Sequence, residues 1–218
     1  MKLLLTSAGI KNKTIAKALF GMVGKKPSDT SLVFIPTASN VEKGDKSWLI
    51  DDLMNLKKQG FKSIEIGDIS AVDEKIWKPK FEEADILYFE GGYTYYLMEW
   101  INKSGLVKIL PDLLKTKIYV GVSAGSCVVS KDLALKISQD IYQEDLDKTE
   151  NMEGLNLVNF YILPHLNSQH FTKVRKDFIG EVVKGISEKI YALDDNSALK
   201  VIDGKVEVAS EGEWFEFN

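Results

Sequence analysis

The chain has 218 residues, of which 44% are hydrophobic and 28% charged, and a formal net charge of -4. A chain of this length buries its own core without disulfides or a structural metal, so one domain over residues 1–218 is expected. The mild acidic balance argues against nucleic acid or an anionic membrane as partner. The lone cysteine, Cys127, excludes an intrachain disulfide and suits a reducing cytoplasm.

Taken in chain order, apolar runs alternate with amphipathic stretches. Lys2–Thr6 reads as a first buried strand, because its apolar run is too short for a signal-peptide core. Further strands are expected at Ser31–Ile35, Ser63–Ile66, Ile86–Phe89 and Lys117–Val122. Helical patterns fall at Thr14–Met22, Lys46–Gln59, Tyr95–Asn102 and Val107–Leu114. This alternation predicts βαβ units: a three-layer α/β fold with a mostly parallel sheet, right-handed crossovers and helices on both faces. No apolar stretch is long enough to span a bilayer.

Beyond residue 130 the pattern loosens. Ser138–Asn156 is acidic and weakly patterned, which predicts a surface excursion. Phe160–Leu163 reads as a strand and Ser168–Val183 as one long helix. Strands follow at Ile190–Leu193 and Ala198–Ile202. Asp203-Gly204, two residues that tolerate positive φ, marks a hairpin into Lys205–Ala209, and Trp214–Phe217 reads as a last strand. The C-terminal strands are therefore expected to be antiparallel.

The most informative segment is Gly121-Val122-Ser123-Ala124-Gly125, entered from an apolar strand and followed by a short helical pattern. That context is a nucleophile elbow: the serine sits in a strained turn at the sheet edge, with the Ala124 N–H beside it as an oxyanion donor. A second glycine turn, Glu90-Gly91-Gly92, ends another strand and offers the Gly91 or Gly92 N–H for the same purpose. Gly24-Lys25-Lys26 lacks the spacing of a phosphate loop.

A serine nucleophile needs a base with a pKa near neutral, and the chain has only His165 and His170. His165 follows the Phe160–Leu163 strand and so reaches the functional edge, whereas His170 falls at the start of the expected helix and reads as a surface or capping residue. Two histidines and one cysteine match no metal motif, so no metal or cofactor is expected, and Cys127 reads as a packed thiol. The residue that orients the histidine stays open between two chain orders. Asp132, Asp140, Glu144 and Asp145 lie between serine and histidine, as in esterase-type hydrolases; Asp194, Asp195 and Asn196 follow the histidine.

Several of these segments together resemble the family of peptidase E (aspartyl dipeptidase) and cyanophycinase. They are Val33-Phe34-Ile35-Pro36-Thr37-Ala38, Phe89-Glu90-Gly91-Gly92-Tyr93-Thr94, Gly121-Val122-Ser123-Ala124-Gly125-Ser126, Leu163-Pro164-His165 and Ala192-Leu193-Asp194-Asp195-Asn196-Ser197. The resemblance implies a class I glutamine amidotransferase-like fold and a serine, histidine, acid order built on Ser123 and His165. It also implies an oxyanion role for Gly92 and a small peptide as substrate. Where the family usually has Gly-Gly-Gly-Asn-Thr, this chain has Glu90-Gly91-Gly92-Tyr93-Thr94. Where it usually has glutamate as third member, Asp195 stands beside Asn196, and either could face His165. Arg175, the only arginine, falls roughly where the family has one, and would clamp the carboxylate of an N-terminal aspartate or else sit as a solvated helix charge. A catalytically silent ligand-binding homologue is the alternative reading, with an esterase-type hydrolase using Asp140 as a third.

Overall fold

A computed structural model describes residues 1–218. Ten strands form two sheets: β1 (Lys2–Thr6), β2 (Ser31–Ile35), β3 (Ser63–Ile66), β4 (Ile86–Phe89), β5 (Ile118–Val122), β6 (Phe160–Leu163), β7 (Lys189–Leu193), β8 (Ser197–Ile202), β9 (Lys205–Ser210) and β10 (Trp214–Phe217). The large sheet has the order β3-β2-β4-β5-β1-β8-β9, in which the first five strands run parallel and β8 and β9 antiparallel. The helices are α1 (Lys13–Val23), α2 (Thr37–Asn40), α3 (Ser47–Lys58), α4 (Glu74–Glu83), α5 (Thr94–Lys103), α6 (Leu106–Leu113), α7 (Ala124–Cys127), α8 (Leu135–Ile137) and α9 (Lys176–Val182).

Apart from α4, the expected alternation is the observed one for the first 127 residues, because the central strands carry apolar side chains on both faces. All residues of β4 and β5 are buried, and separate apolar clusters cover the two faces of the sheet. Local signals set the helix ends: the Asn12 side chain accepts from the Ile15 N–H at 2.9 Å and begins α1, and Gly24 at φ 71° ends it. Helix α4 escaped the sequence reading because Pro79 interrupts its pattern; Trp77 and Phe81, one turn apart, anchor it in the core.

The structure departs from expectation in three places after the elbow. First, β10, β7 and β6 do not extend the large sheet but form a separate one, with β6 parallel and β10 antiparallel to β7. Second, the long helix expected over Ser168–Val183 shrinks to α9. Arg175, extended at φ -129°, ψ 142°, donates from its guanidinium to the carbonyls of Ser168, Phe171 and Val174, which curls the first half into turns. Third, the acidic excursion stays at the surface over most of its length but is anchored at two points: Ile141 joins the apolar cluster over β6 and β7, and Asp145 is buried. The Asp203-Gly204 hairpin forms as expected, with φ values of 48° and 80°.

Candidate active site

Strand register places the site. Thr6 pairs with Val122 in the parallel β1–β5 ladder, so Ser7 and Ser123 leave the same rim side by side. Ser123 adopts φ 45°, ψ -107°, a strained conformation whose cost is on the order of 1–3 kcal/mol. The neighbourhood holds it there. Its N–H donates to Thr6 O at 3.1 Å, the Ser126 hydroxyl donates to the same carbonyl at 2.8 Å, and Thr6 Oγ1 donates to Gly121 O at 2.8 Å. A Cβ on Gly125 would lie 2.2 Å from Phe89 O, so only glycine lets the elbow pack against β4.

His165 stands two residues past β6 at φ 66°, its ring stacked on Phe171 at 4.8 Å. Its Nε2 lies 2.9 Å from Ser123 Oγ and its Nδ1 lies 2.8 Å from Asp195 Oδ1. Asp195 occupies the turn that carries the chain from β7 in the small sheet to β8 in the large one. Burial works to raise its pKa, but the hydrogen bonds from His165 and Ser7 and the nearby positive charges, Lys11 among them, outweigh it and hold the carboxyl at about 2. An ionised Asp195 requires the proton of a neutral imidazole on Nδ1, which leaves the Nε2 lone pair toward Ser123.

Ser7 completes this arrangement and was not anticipated from sequence. Its Oγ accepts the His165 backbone N–H at 2.8 Å and donates to Asp195 Oδ1 at 2.9 Å, so one hydroxyl fixes both the base and its partner. Of the open candidates, Asp195 alone reaches His165. Asn196 is exposed, and its carbonyl ties down Asn12 Nδ2 and the Glu211 N–H. Asp132 accepts from Tyr161 Oη, and Asp194 caps its own turn through Ser197. His170 is exposed in a turn. Burial pushes the Cys127 thiol up to about 12, so it stays protonated.

On the facing side, the Gly91-Gly92 turn lies against the serine: a Cβ on Gly91 would be 3.2 Å from Ser123 Cβ. Gly92 has φ 129°, and a Cβ there would sit 2.4 Å from the Ala38 backbone, so glycine is required. Ser39 Oγ anchors the turn by donating to Gly91 O at 2.8 Å. The N–H groups of Gly92 and Ala124 donate to no backbone carbonyl. Behind the turn, Tyr88 Oη donates to Asp52 Oδ2 at 2.6 Å, while Asp52 Oδ1 and Glu90 Oε2 are buried without a donor. Burial raises the pKa of both carboxyls; the charge of Asp52 raises Glu90 further, while the hydrogen bond with Glu90 favours the ionised form of Asp52, so one proton held on Glu90 and donated to Asp52 satisfies the pair.

The sequence matches the model of peptidase family S51 over residues 3–209. The chain belongs to peptidase family S51. It is 29% identical over 184 residues to an uncharacterized peptidase of Listeria innocua, Lin0382, covering 81% of this chain and 82% of that one. It is 28% identical over 153 residues to an uncharacterized peptidase of Pasteurella multocida, PM1590, with 68% and 71% covered. A solved structure of a candidate peptidase E protein from Listeria monocytogenes superposes with a TM-score of 0.77 at 27% identity, over 97% of this chain and 98% of that one. A peptidase from an acI-B1 actinobacterium shares the fold at a TM-score of 0.65 and 18% identity, over 99% and 93%. The fold is class I glutamine amidotransferase-like, and the protein is a serine-type peptidase.

The shorter acid, aspartate in place of the usual glutamate, still reaches the imidazole, because the turn carrying Asp195 is pinned by Ser7 and by the Asp194 N–H bond to Glu213 O at 3.1 Å. Arg175, the expected clamp for an N-terminal aspartate, is not on the cleft: its guanidinium is committed to three carbonyls of the segment after His165. The cleft itself measures about 870 Å³ and runs past Ser123, His165 and Asp195.

Proposed function

We propose that this S51 peptidase hydrolyses small peptides by acyl transfer through Ser123, His165 and Asp195. The observation that carries the reading is the continuous run from Ser123 Oγ to His165 Nε2 at 2.9 Å and from His165 Nδ1 to Asp195 at 2.8 Å. His165 takes the Ser123 proton as Oγ bonds to the substrate carbonyl carbon, and the N–H groups of Ala124 and Gly92 receive the developing oxyanion. The imidazolium, held by ionised Asp195, then protonates the leaving amine as the C–N bond breaks. Water, deprotonated by His165, releases the acyl group and restores the serine.

The test is turnover of a dipeptide panel by wild type and Ser123→Ala, with fluorophosphonate labelling beside it. Ser123→Ala should lower kcat by about 10³-fold or more and abolish labelling. Well-folded wild-type protein that neither turns over peptides nor takes the label would favour a ligand-binding homologue instead.

A further inference from the structure

The charge of the cleft runs against an acidic substrate. Nine Asp and Glu residues line it and only two lysines. Of these, Lys11 lies 3.8 Å from Asp195 and Lys58 leans on Asn55 at 3.4 Å, and the chain's one guanidinium is spent elsewhere.

The carboxylates are not all alike. Asp195, Asp132 and Asp52 have hydrogen-bond donors. On the wall built by the excursion after α8, two carboxylates fall short. Glu144 draws no hydrogen bond to its carboxyl, which burial and the charges of Asp145 and Glu42 push up to about 7. Asp145 is only 7% exposed; Ser138 donates to its Oδ2, and its Oδ1 is buried with no donor. Lys148 forms its ion pair with Asp147 at 3.0 Å. This wall is coupled to the catalytic segment: Tyr142 Oη donates to the carbonyl of Pro164, next to His165, at 2.7 Å.

We infer that Glu144 and Asp145 bind a cationic nitrogen of the peptide substrate, either its free α-amino group or a basic side chain. The inference rests on the hydrolase reading of Ser123. An ammonium or guanidinium brings N–H donors for the oxygens left unpaired and a positive charge set among Glu144, Asp145 and Glu42, in addition to Lys148 and the Tyr93 hydroxyl, which already act on Asp145. A neutral ligand supplies donors but leaves the repulsion, and an acidic one adds to it.

Two contrasts separate the sources of the cation: Lys-Ala against Nle-Ala for a basic side chain, and Leu-Ala against acetyl-Leu-Ala for the α-amino group. The recognised cation should raise kcat/KM by about 10- to 100-fold within its own contrast, mainly through KM, and Asp-Ala should be the poorest free dipeptide. Glu144→Gln should shrink that contrast toward unity. In a parallel measurement on wild type, lysinamide should slow fluorophosphonate labelling of Ser123 and acetyl-norleucine amide should not; this readout needs no turnover and no variant. Labelling of Ser123 together with equal rates in both contrasts, a preference for Asp-Ala, or equal protection by both amides overturns the cation site and leaves the nucleophile standing. Absence of both labelling and turnover overturns the hydrolase reading and this inference with it.

Discussion

The two walls of the cleft differ in how completely they are satisfied. Around Ser123 almost every polar atom has a partner: hydroxyl to imidazole, imidazole to Asp195, Asp195 to Ser7, and Ser7 to the His165 backbone. Along the excursion after α8, Glu144 lacks a donor and Asp145 has one oxygen unpaired. A group that must act on every substrate is held by the protein itself, so that little reorganisation is needed during reaction. A group that must discriminate among substrates leaves its valence for the ligand, and meanwhile the protein bears the cost of a buried, unpaired carboxylate.

The contrast can be broken from the satisfied side first. Asp195→Asn should lower kcat by about 10³- to 10⁴-fold, because an amide no longer enforces the Nδ1–H tautomer or offsets the imidazolium; steady-state kinetics with folding checked by circular dichroism measures it. Gly92→Ala should cost about 10²-fold or more in kcat, since the added carbon collides with Ala38 and drags an oxyanion donor out of place. Ser7→Ala should cost less, about 10-fold, removing one of two restraints on Asp195 while the imidazole contact remains.

The carboxyl pair behind the glycine turn gives a stability test with a definite sign. Asp52 and Glu90 have raised pKa values in the folded state, so folding takes up a proton. That contribution is complete below the ordinary carboxylate range and declines as pH rises through the folded values. Thermal unfolding followed from pH 5 to 9 should show this decline in wild type. It should flatten in Glu90→Gln, whose amide donates to Asp52 without a shared proton. Asp195 has the opposite sign: its stabilising contacts hold above about pH 4 and are lost as pH falls toward 2.

The smallest effect expected is the pH dependence of the unsatisfied wall. The groups facing the Glu144 carboxyl are Asp145 beside it, Glu42 across the cleft, and Cys127 and Tyr142, whose own acidities are suppressed by burial. Since Glu144 ionises near 7, the advantage of a lysine side chain over norleucine, whose α-amino groups titrate alike, should grow severalfold from pH 6 to 8, and Glu144→Gln should remove the growth. The ratio of kcat/KM for Lys-Ala over Nle-Ala cancels the shared titration of the catalytic groups and of the α-amino group.

Much of this architecture could be read from the residue pattern. Strands of the large sheet and the elbow announce themselves because their chemistry is local: apolar runs of the right length, then glycine where backbone approaches backbone. His165 could be placed because it follows a strand by two residues. Ser7 could not be singled out, since a serine after a first strand carries no mark of its role until the β1–β5 register sets it beside Ser123. The choice between Asp195 and Asn196 likewise depended on how one turn is oriented. The long helix failed because periodicity over Phe171–Val182 is blind to an arginine that finds its acceptors in carbonyls up to seven residues back. The surface position of the cleft wall was legible, but not its anchoring, because Ile141 packs on the small sheet, which no local pattern encodes.

The three reacting side chains arrive by three routes: Ser123 from the large sheet, His165 from the small sheet, and Asp195 from the strand-to-strand turn between them. Catalytic competence is therefore a gauge of how the two sheets seat against each other. A slip of about an ångström at that seam breaks a 2.9 Å contact while leaving every strand intact. In mild denaturant, turnover should fade before the far-ultraviolet signal does.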